Sequence, residues 1–550
     1  MRKTTSRFAA ALLAVATLAA SAVMAAAPAH KAQAVTSDWP TSEIVVHGAM
    51  QGATFEAYRL LNSTDDGTNY SYTLRTQRDS STSGIKITDR DKAVTTALTS
   101  ATEKYSAHGV YDSLNGKAHD TLALKQQMKT IYQKIKAATI TPDASATAQT
   151  ADQKNTAAYQ ATFKNLPQGY YLIAQTNDSS AAGSTVSLLI ANTANSTEDA
   201  AGNSGVDVDV KADTVQLLSA TDQHQAAAQY QDDVAVGTDF TWSATGTLPA
   251  NYALYDAYKY VFTVKIPAGV AADSTDKIRG CPVATASTVN GSHETPIASD
   301  AYTVQKLTDG TGTVCTYSFD NLKTAKASDT KASLTIDAGT DIRLSMTAHL
   351  TSGATLGNKG NIISSSVSYS SNPLDSTMTG TTAESTATLY TYKLTVKNTD
   401  NADKPLSNGA KYSLYRCNDN DCNTQVGPET SVSDGTSSNT ATAVFNGLDS
   451  GAYELRETGI PAGYSGADPV KFTVTPTFNN GTVKLESNNP SVVVVNPDAS
   501  LTVTVKNTSG GGLLPSTGGV GVIILYVCGL LLVAGAIAGI IVAARRRNRE

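Results

Sequence analysis

The sequence predicts a mainly β protein of tandem β-sandwich domains, with a helical insertion in the first domain and a transmembrane helix near the C-terminus of the precursor. Threonine, serine, alanine, asparagine and glycine are abundant, while only 16% of the residues are charged. This composition is typical of β-branched strands joined by short polar turns. Segments with alternating apolar residues recur along the chain, and one segment has apolar residues at helical spacing. Between two terminal targeting segments, roughly 480 residues remain, enough for three or four domains.

The N-terminus is predicted to be a signal peptide of residues 1–34. Basic residues at positions 2, 3 and 7 precede an alanine- and leucine-rich run from Phe8 to Ala27. Ala32-Gln33-Ala34 then forms the small-x-small pattern at which signal peptidase cuts, so Val35 is the expected first mature residue. A transmembrane anchor is the alternative, but the short alanine-rich run and the cleavage pattern favour a leader that is removed.

The first domain is expected to span residues 35–210. Glu43–His47 alternates like a strand, and Gly169–Ile173 and Ser187–Ile190 are predicted strands near its end. Leu122–Ala138 has apolar residues at helical spacing and is the predicted helical insertion.

The middle domain, residues 211–388, contains only strand and turn patterns. Four segments are predicted strands: Phe240–Ala244, Tyr260–Val264, Ala332–Ile336 and Ser366–Ser370. The third domain, residues 389–506, has five predicted strands separated by glycine, asparagine and aspartate, which is the spacing of a small Greek-key sandwich. They are Tyr392–Val396, Ala410–Tyr415, Tyr453–Glu457, Val470–Val474 and Val492–Val495.

Four cysteines remain once Cys528, in the C-terminal apolar span, is set aside. They allow three pairings, of which sequence distance favours Cys281–Cys315 and Cys417–Cys422. An oxidising location outside the cell would preserve both disulfides. The Cys-x4-Cys pair has no histidine or further cysteine nearby, so it makes a poor zinc site. The sequence therefore predicts neither a metal nor a cofactor.

The C-terminus contains a second apolar run, residues 520–544, long enough to cross a bilayer with about 30 Å of hydrocarbon. Arginines follow at positions 545, 546, 547 and 549, so the positive-inside rule places the tail in the cytoplasm and residues 35–513 outside. The pentapeptide Leu514-Pro515-Ser516-Thr517-Gly518 immediately precedes the apolar run.

This order of pentapeptide, apolar run and basic tail resembles the LPxTG cell-wall sorting signal of Gram-positive surface proteins, here residues 507–550. The resemblance implies that a sortase cysteine attacks the Thr517 carbonyl, releases the chain from Gly518 onward and passes the acyl group to an amine. Pro515 restricts the preceding backbone to an extended form that suits a peptide-binding groove. The implied protein is secreted and anchored to peptidoglycan, and its precursor is held in the plasma membrane by its C-terminal helix.

The third domain resembles a collagen-adhesin B-type (Cna-B) domain of sortase-assembled pilins, and the resemblance implies an Ig-like sandwich in a fimbrial backbone subunit. The matching stretches are Leu394–Asn398 with Lys404-Pro405-Leu406 and Gly409-Ala410, Gly451–Thr458 with Pro461–Tyr464, which looks like the pilin E-box, and Val492–Asn496, which looks like the closing strand.

In that family, a first-strand lysine forms an isopeptide bond with a last-strand asparagine, and a buried glutamate promotes the loss of ammonia. The matching residues are Lys397, Asn496 and Glu457. The chemistry is reasonable because burial disfavours the charged forms of lysine and glutamate. The neutral amine is then a nucleophile, and the protonated acid can pass a proton to the leaving group.

The resemblance also implies a second lysine, at the end of the first domain, that receives the threonine of the next subunit. It corresponds to Lys211, which follows the alternating segment Val206–Val210. The aromatic residue and the Tyr-Pro of the fuller family motif are absent here, and a plain linker lysine is the alternative. No lysine lies between Lys211 and Lys259, so no isopeptide bond is expected in the middle domain.

The sequence is thus interpreted as a structural subunit of a covalent, wall-anchored pilus that supports adhesion. Its expected partners are a class C pilus sortase, a housekeeping sortase, other pilin subunits and peptidoglycan. The alternative is a monomeric wall-anchored adhesin or pilus tip that binds a host glycan or matrix protein. A net charge of −6 predicts no nucleic-acid partner. An enzyme is not expected, because histidines 47, 108, 119, 224, 293 and 349 form no recognisable triad or metal spacing.

Overall fold

The computed structural model describes most of the chain from Trp39 to Ser509. The described ranges are 39–65, 70–78, 85–115, 122–155, 157–177, 185–186, 188–195, 197–198, 204–210, 213–222, 226–273, 280–307, 312–406, 410–418, 422, 425–432, 441–479 and 481–509. The predicted leader, Lys211, the LPSTG pentapeptide and the apolar run 520–544 lie outside these ranges. Within them, no helix combines the length and the apolar character needed to cross a membrane.

The first structural unit consists of two sheets and three helices. Its strands are β1 (Thr41–Ala49), β2 (Thr54–Asp65), β3 (Tyr70–Leu74), β4 (Ala144–Thr147), β5 (Thr150–Ala151), β6 (Tyr159–Pro167), β7 (Gly169–Gln175), β8 (Leu188–Asn192), β9 (Thr197–Glu198) and β10 (Ser204–Asp209), and its helices are α1 (Asp89–Thr102), α2 (Ala107–Asn115) and α3 (Leu122–Ala137). One sheet has the order β5-β6-β1-β10-β9, and the other has the order β3-β2-β7-β8 with β4 beside β2.

The second sheet lies between the first sheet and the helices, so β7 is buried on both faces. Tyr171 and Ile173 pack towards the first sheet, while Tyr170 and Leu172 pack towards the helices. The predicted helix at Leu122–Ala138 is confirmed as α3. Helices α1 and α2 were not predicted, and α1 begins at a capping box rather than at a strong apolar stripe, with the Thr88 side chain accepting from the Asp91 amide.

The middle unit is a sandwich of two larger sheets. Its strands are β11 (Gln216–Thr221), β12 (Gln229–Asp233), β13 (Asp239–Thr247), β14 (Tyr260–Pro267), β15 (Val270–Ala272), β16 (Thr285–Asn290), β17 (His293–Pro296), β18 (Thr303–Leu307), β19 (Gly312–Phe319), β20 (Asp341–Leu350), β21 (Asn361–Ser370), β22 (Thr379–Thr381) and β23 (Ser385–Tyr390). One sheet has the order β11-β13-β20-β16-β17 with β15 beside β20, and the other has the order β12-β23-β21-β14-β19-β18 with β22 beside β21.

The strand predicted at Ala332–Ile336 is wrong. Only an isolated bridge joins Ser333 to Lys326 there, and Leu334 and Ile336 are partly buried against the core. Alternating apolar residues therefore point towards the core here without a neighbouring strand to complete a ladder. The other three predicted strands of the middle domain fall within β13, β14 and β21.

The third unit is a smaller sandwich. Its strands are β24 (Tyr392–Asp400), β25 (Lys411–Cys417), β26 (Gln425–Val432), β27 (Thr442–Leu448), β28 (Gly451–Gly459), β29 (Tyr464–Ser465), β30 (Val470–Asn479), β31 (Thr482–Ser487), β32 (Val493–Val495) and β33 (Leu501–Ser509). One sheet has the order β27-β24-β33, with β29 and β32 also paired to β33, and the other has the order β26-β25-β28-β30-β31. The mainly β, multi-sandwich fold predicted from the sequence is thus confirmed.

The predicted closing strand at Val492–Asn496 contains β32, but β32 is not the last strand. β33 follows it and pairs in parallel with β24, from Leu394 opposite Leu501 to Asp400 opposite Asn507. The same arrangement recurs in the other units, where β1 pairs in parallel with β10 and β12 with β23. In every unit, a strand near the start of the unit is therefore a parallel neighbour of its last strand.

Polar contacts join successive units. Between the first and middle units, the Lys129 ammonium on α3 donates to the Leu254 carbonyl at 2.5 Å and to Asp256 Oδ1 at 2.9 Å. Between the middle and third units, the Val236 amide donates to the Gly447 carbonyl at 2.9 Å. Lys129 is the only buried lysine in the described part of the chain.

Candidate functional site

The structure does not bring together the three residues that were predicted to form the crosslink. Lys397 is exposed between the buried residues Val396 and Asn398, so its side chain faces away from the core. Lys397 lies opposite Thr504 of β33, whereas the Asn496 amide donates to the Ser500 carbonyl. Thr504 and Ser500 are four residues, or about 13 Å, apart along β33. Because β24 and β32 both pair with β33, Lys397 and Asn496 are also about 10 Å apart across the sheet.

The side chain of Asn496 is used locally instead. Its Nδ2 donates to Ser500 Oγ at 3.0 Å and to Thr502 Oγ1 at 3.1 Å, both on the segment that leads into β33. The prediction of a Lys397–Asn496 bond is therefore wrong. It failed because β32 was taken for the last strand, so that the partner asparagine was sought one strand too early.

Glu457 points instead to Asn507, on β33. Asn507 Nδ2 donates to both carboxylate oxygens of Glu457, at 2.8 and 3.0 Å, and to the Ser465 carbonyl at 3.0 Å. The Ala467 amide donates to Glu457 Oε2 at 2.8 Å. Burial raises the pKa of Tyr412, and the charge of the nearby Glu457 raises it further. The predicted carboxylate is thus in place beside a last-strand asparagine, but this asparagine is Asn507.

The first-strand position next to this pair holds Asn398 and not a lysine. Asn398 is 2% exposed and lies opposite Val505, two residues before the level of Asn507. Because alternate residues of a strand share one face, Asn398 and Asn507 point to the same side of the sheet. Neither Nδ2 nor Oδ1 of Asn398 has a hydrogen-bond partner among the described residues, and the same is true of Asn507 Oδ1. We call Asn398, Glu457 and Asn507 the amide cluster.

A signal for the amide cluster is present in the sequence. The pentapeptide Thr-Val-Lys-Asn-Thr occurs twice, at 395–399 in β24 and at 504–508 in β33. In both copies the lysine is exposed and the asparagine is buried. The repeat marks the two terminal strands of the unit, and it identifies the asparagine rather than the lysine as the inward residue.

Both predicted disulfides are confirmed. Cys281 is bonded to Cys315, which lies in β19, and Cys417 at the end of β25 is bonded to Cys422. The first is fully buried in the middle unit. The second forms a small cluster with Ala452 outside the main core. Each disulfide therefore lies within one unit.

Lys211 lies outside the described residues, but the strand that leads to it ends beside a buried, hydrogen-bonded histidine–aspartate pair. His47 Nδ1 is 2.8 Å from Asp152 Oδ1, and His47 Nε2 is 3.1 Å from Asp207 Oδ1 in β10. The amides of Gly48 and Lys154 donate to the Asp152 carboxylate at 2.6 and 2.8 Å. These contacts join β10 to β1, and β1 to the residue after β5, shortly before Lys211.

Replacing Asp152 with asparagine is expected to lower the free energy of unfolding of the first unit by roughly 1–3 kcal/mol at pH 7. Burial by itself raises the pKa of Asp152, but the hydrogen bonds from Gly48, His47 and Lys154 lower it to about 2. A lowered pKa stabilises the fold above the unfolded value of about 3.9, and the contribution is lost as the pH falls towards 2.

Urea unfolding at pH 7 and pH 2 measures this effect when it is followed by tryptophan fluorescence in a Trp242→Phe background, where Trp39 alone emits. The difference between wild type and Asp152→Asn should nearly vanish at pH 2. The exposed Asp112→Asn variant serves as the control, because its carboxylate is 57% exposed. An Asp152→Asn penalty of the same size at both pH values would contradict the expectation.

Comparison with known proteins identifies one matching domain. Residues 392–491 match the SpaA prealbumin-like fold domain. No curated protein sequence matches the chain. Similar solved structures include the T6 backbone pilin of Streptococcus pyogenes, with 14% identity, 87% of this chain and 100% of that chain covered, and a TM-score of 0.46. They also include the major pilin SpaD of Corynebacterium diphtheriae, with 16% identity, 87% and 100% covered, and a TM-score of 0.44.

The fimbrial protein FimP from Actinomyces oris is a third similar structure, with 16% identity, 87% of this chain and 100% of that chain covered, and a TM-score of 0.47. The matched domain, residues 392–491, begins with β24 and ends just before β32. The third unit is therefore similar, over most of its length, to the SpaA prealbumin-like fold domain.

Proposed function

We propose that this protein is a structural subunit of a covalently polymerised, cell-wall-anchored pilus. The observation that carries the proposal is a domain similar to the SpaA prealbumin-like fold domain placed directly before an LPSTG pentapeptide, an apolar run and a basic tail. The signal peptide predicted at residues 1–34 agrees with export. The mature subunit in the fibre would run from Val35 to Thr517.

The strand topology suits a chain that carries tension. β24 is entered from the middle unit, and β33 leads out towards the pentapeptide. Because the two strands are parallel neighbours over seven register pairs, pulling their outer ends apart slides one strand past the other. The hydrogen bonds along the pair are then loaded together and not one after another. In the middle unit, β12 and β23 are parallel neighbours over five register pairs.

The joining reaction proceeds by acyl transfer. The sortase cysteine attacks the carbonyl carbon of Thr517, the bond to Gly518 breaks, and the Lys211 amine of a second subunit then displaces the cysteine. The amine must lose its proton to attack, and its long flexible stem gives it reach. With joints at Lys211 and Thr517, tension passes through the middle and third units, while the first unit projects from the load path.

Expression with a class C sortase tests the proposal. Wild type should give a ladder of detergent- and heat-resistant multimers on a denaturing gel of wall extracts. Lys211→Ala should give only monomer that is still attached to the wall, and Thr517→Ala should lose both multimers and attachment. Lys404→Ala, which changes an exposed lysine of the third unit, should leave the ladder unchanged.

The outcomes separate the two candidate functions. A ladder that survives Lys211→Ala would make another lysine the acceptor, with Lys265 the next candidate. A wild type that stays monomeric although it is anchored would overturn the polymer and support the adhesin interpretation.

A further inference from the structure

Three ligand-type side chains meet on adjacent strands of the middle unit, outside every feature discussed above. Asp239 is the first residue of β13, and His349 lies directly opposite it in β20. Asp273 immediately follows β15, which pairs with the other edge of β20, and its amide donates to the Thr347 carbonyl at 3.1 Å. Sheet register therefore holds all three residues in place.

The distances between the polar atoms are short. His349 Nδ1 is 2.8 Å from Asp273 Oδ1 and 3.6 Å from Asp239 Oδ1. One ligand atom from each residue lies within 4.8 Å of the others. The side chains of His349 and Asp273 are only 32% and 30% exposed, whereas Asp239 is 65% exposed. His349 and Asp273 are thus partly sheltered from solvent, and the group is open to solvent at Asp239.

We propose that Asp239, Asp273 and His349 bind a divalent transition-metal ion, for which Zn²⁺ is the probe. Two carboxylates and one imidazole nitrogen are ligands that Zn²⁺ accepts, and three protein ligands leave a coordination position open to water. The imidazole favours such an ion over Ca²⁺, which takes oxygen ligands. The two carboxylates also supply the negative charge that a divalent cation requires. Their sequence positions are far apart, so no spacing pattern reveals the group.

The bound ion would join β13, β15 and β20 at one end of the middle unit. This is the end that contacts the third unit, because the Gly237 amide donates to the Leu350 carbonyl and the neighbouring Val236 amide donates to the Gly447 carbonyl. An ion that binds only the folded chain raises its free energy of unfolding. The increase grows with the logarithm of the ratio of the ion concentration to the dissociation constant. Zinc is therefore expected to raise the melting temperature of the mature chain.

Calorimetric titration of the mature chain, first treated with a chelator, with ZnCl₂ tests this site. Wild type should bind one Zn²⁺, and both Asp239→Asn and His349→Asn should weaken binding at least tenfold. The Asp239→Asn variant should fold as wild type does, because the Asp239 side chain is largely exposed. His293→Asn, an exposed histidine of the same unit, should bind as wild type does.

Melting curves with and without ZnCl₂ provide the second readout. The zinc-dependent rise in melting temperature should be present in wild type and His293→Asn and absent in the two ligand variants. Failure of wild type to bind, or equal binding by His349→Asn, would overturn the proposal and show that the group is an ion pair only. Both outcomes are independent of whether the chain polymerises.

Discussion

Replacing Asn398 with lysine is expected to create an isopeptide bond to Asn507 in the third unit. The lysine amine would extend from β24 along the inner face towards Asn507, whose amide already donates to Glu457. From the register, the Cα atoms of residues 398 and 507 are about 8 Å apart, a gap that the four-carbon stem of lysine bridges. The amine attacks the Asn507 side-chain carbonyl, Glu457 passes the proton, and ammonia leaves.

The expected result is an intact mass lower by one ammonia than the sequence mass of Asn398→Lys, after allowing for the two disulfides. A crosslink that closes a loop of this length raises the free energy of unfolding by roughly 4–5 kcal/mol on the chain-entropy model. Wild type should show no such loss, because no described lysine lies in the core of the third unit.

The matched control is the double variant Asn398→Lys with Glu457→Ala. It contains the same amine but lacks the proton-transfer group, so it should keep its ammonia and be less stable than wild type, with an uncompensated buried amine. If Asn398→Lys folds and retains its full mass, the assignment of Asn398 to the amine position would be incorrect.

Replacing Arg75 with methionine is expected to destabilise the first unit by about 3–5 kcal/mol, because it removes a buried guanidinium that pairs with two largely buried carboxylates. The Arg75 side chain is 3% exposed. Its Nε donates to Asp91 Oδ1 at 2.8 Å, and its Nη1 donates to Asp143 Oδ2 at 3.0 Å and to the Arg59 carbonyl at 3.0 Å. The guanidinium therefore joins β2, α1 and the segment before β4.

The loss of stability caused by Arg75→Met should become smaller as the pH falls. Burial alone raises the pKa of Asp91, but hydrogen bonds from Thr88 and the charge of Arg75 lower it below its usual value. A lowered pKa contributes stability above the unfolded pKa, and this contribution is lost as the pH falls through the folded value. The difference between wild type and Arg75→Met should accordingly shrink under acid conditions.

Urea unfolding followed by tryptophan fluorescence in the Trp242→Phe background, where Trp39 alone emits, measures both effects. Lys92→Met is the control, since the Lys92 and Asp89 side chains are 64% and 99% exposed and an exposed ion pair contributes little to stability. A penalty for Arg75→Met no larger than that for Lys92→Met would contradict the assignment of a structural role to the buried guanidinium.

Local patterns in the sequence predicted the elements with the clearest periodicity. The alternation in Tyr260–Val264 and the helical spacing in Leu122–Ala138 each predicted an element that the structure contains. Such periodicity predicts an element because a strand or a helix must turn its apolar side towards a core, whichever element it packs against. The two disulfides were also predictable, because each pair is closest in sequence and lies within one unit.

The tertiary structure alone decided which distant residues meet. Asn398 continues the alternation of Leu394 and Val396, but only the pairing of β24 with β33 brings it close to Asn507. The resemblance to a Cna-B domain indicated Lys397 and Asn496 instead. Likewise, the register between β13 and β20 places Asp239 opposite His349, although the two residues are more than a hundred positions apart. Local periodicity fixes the faces of a strand, but long-range register, set by the summed packing of whole sheets, fixes the neighbours across it.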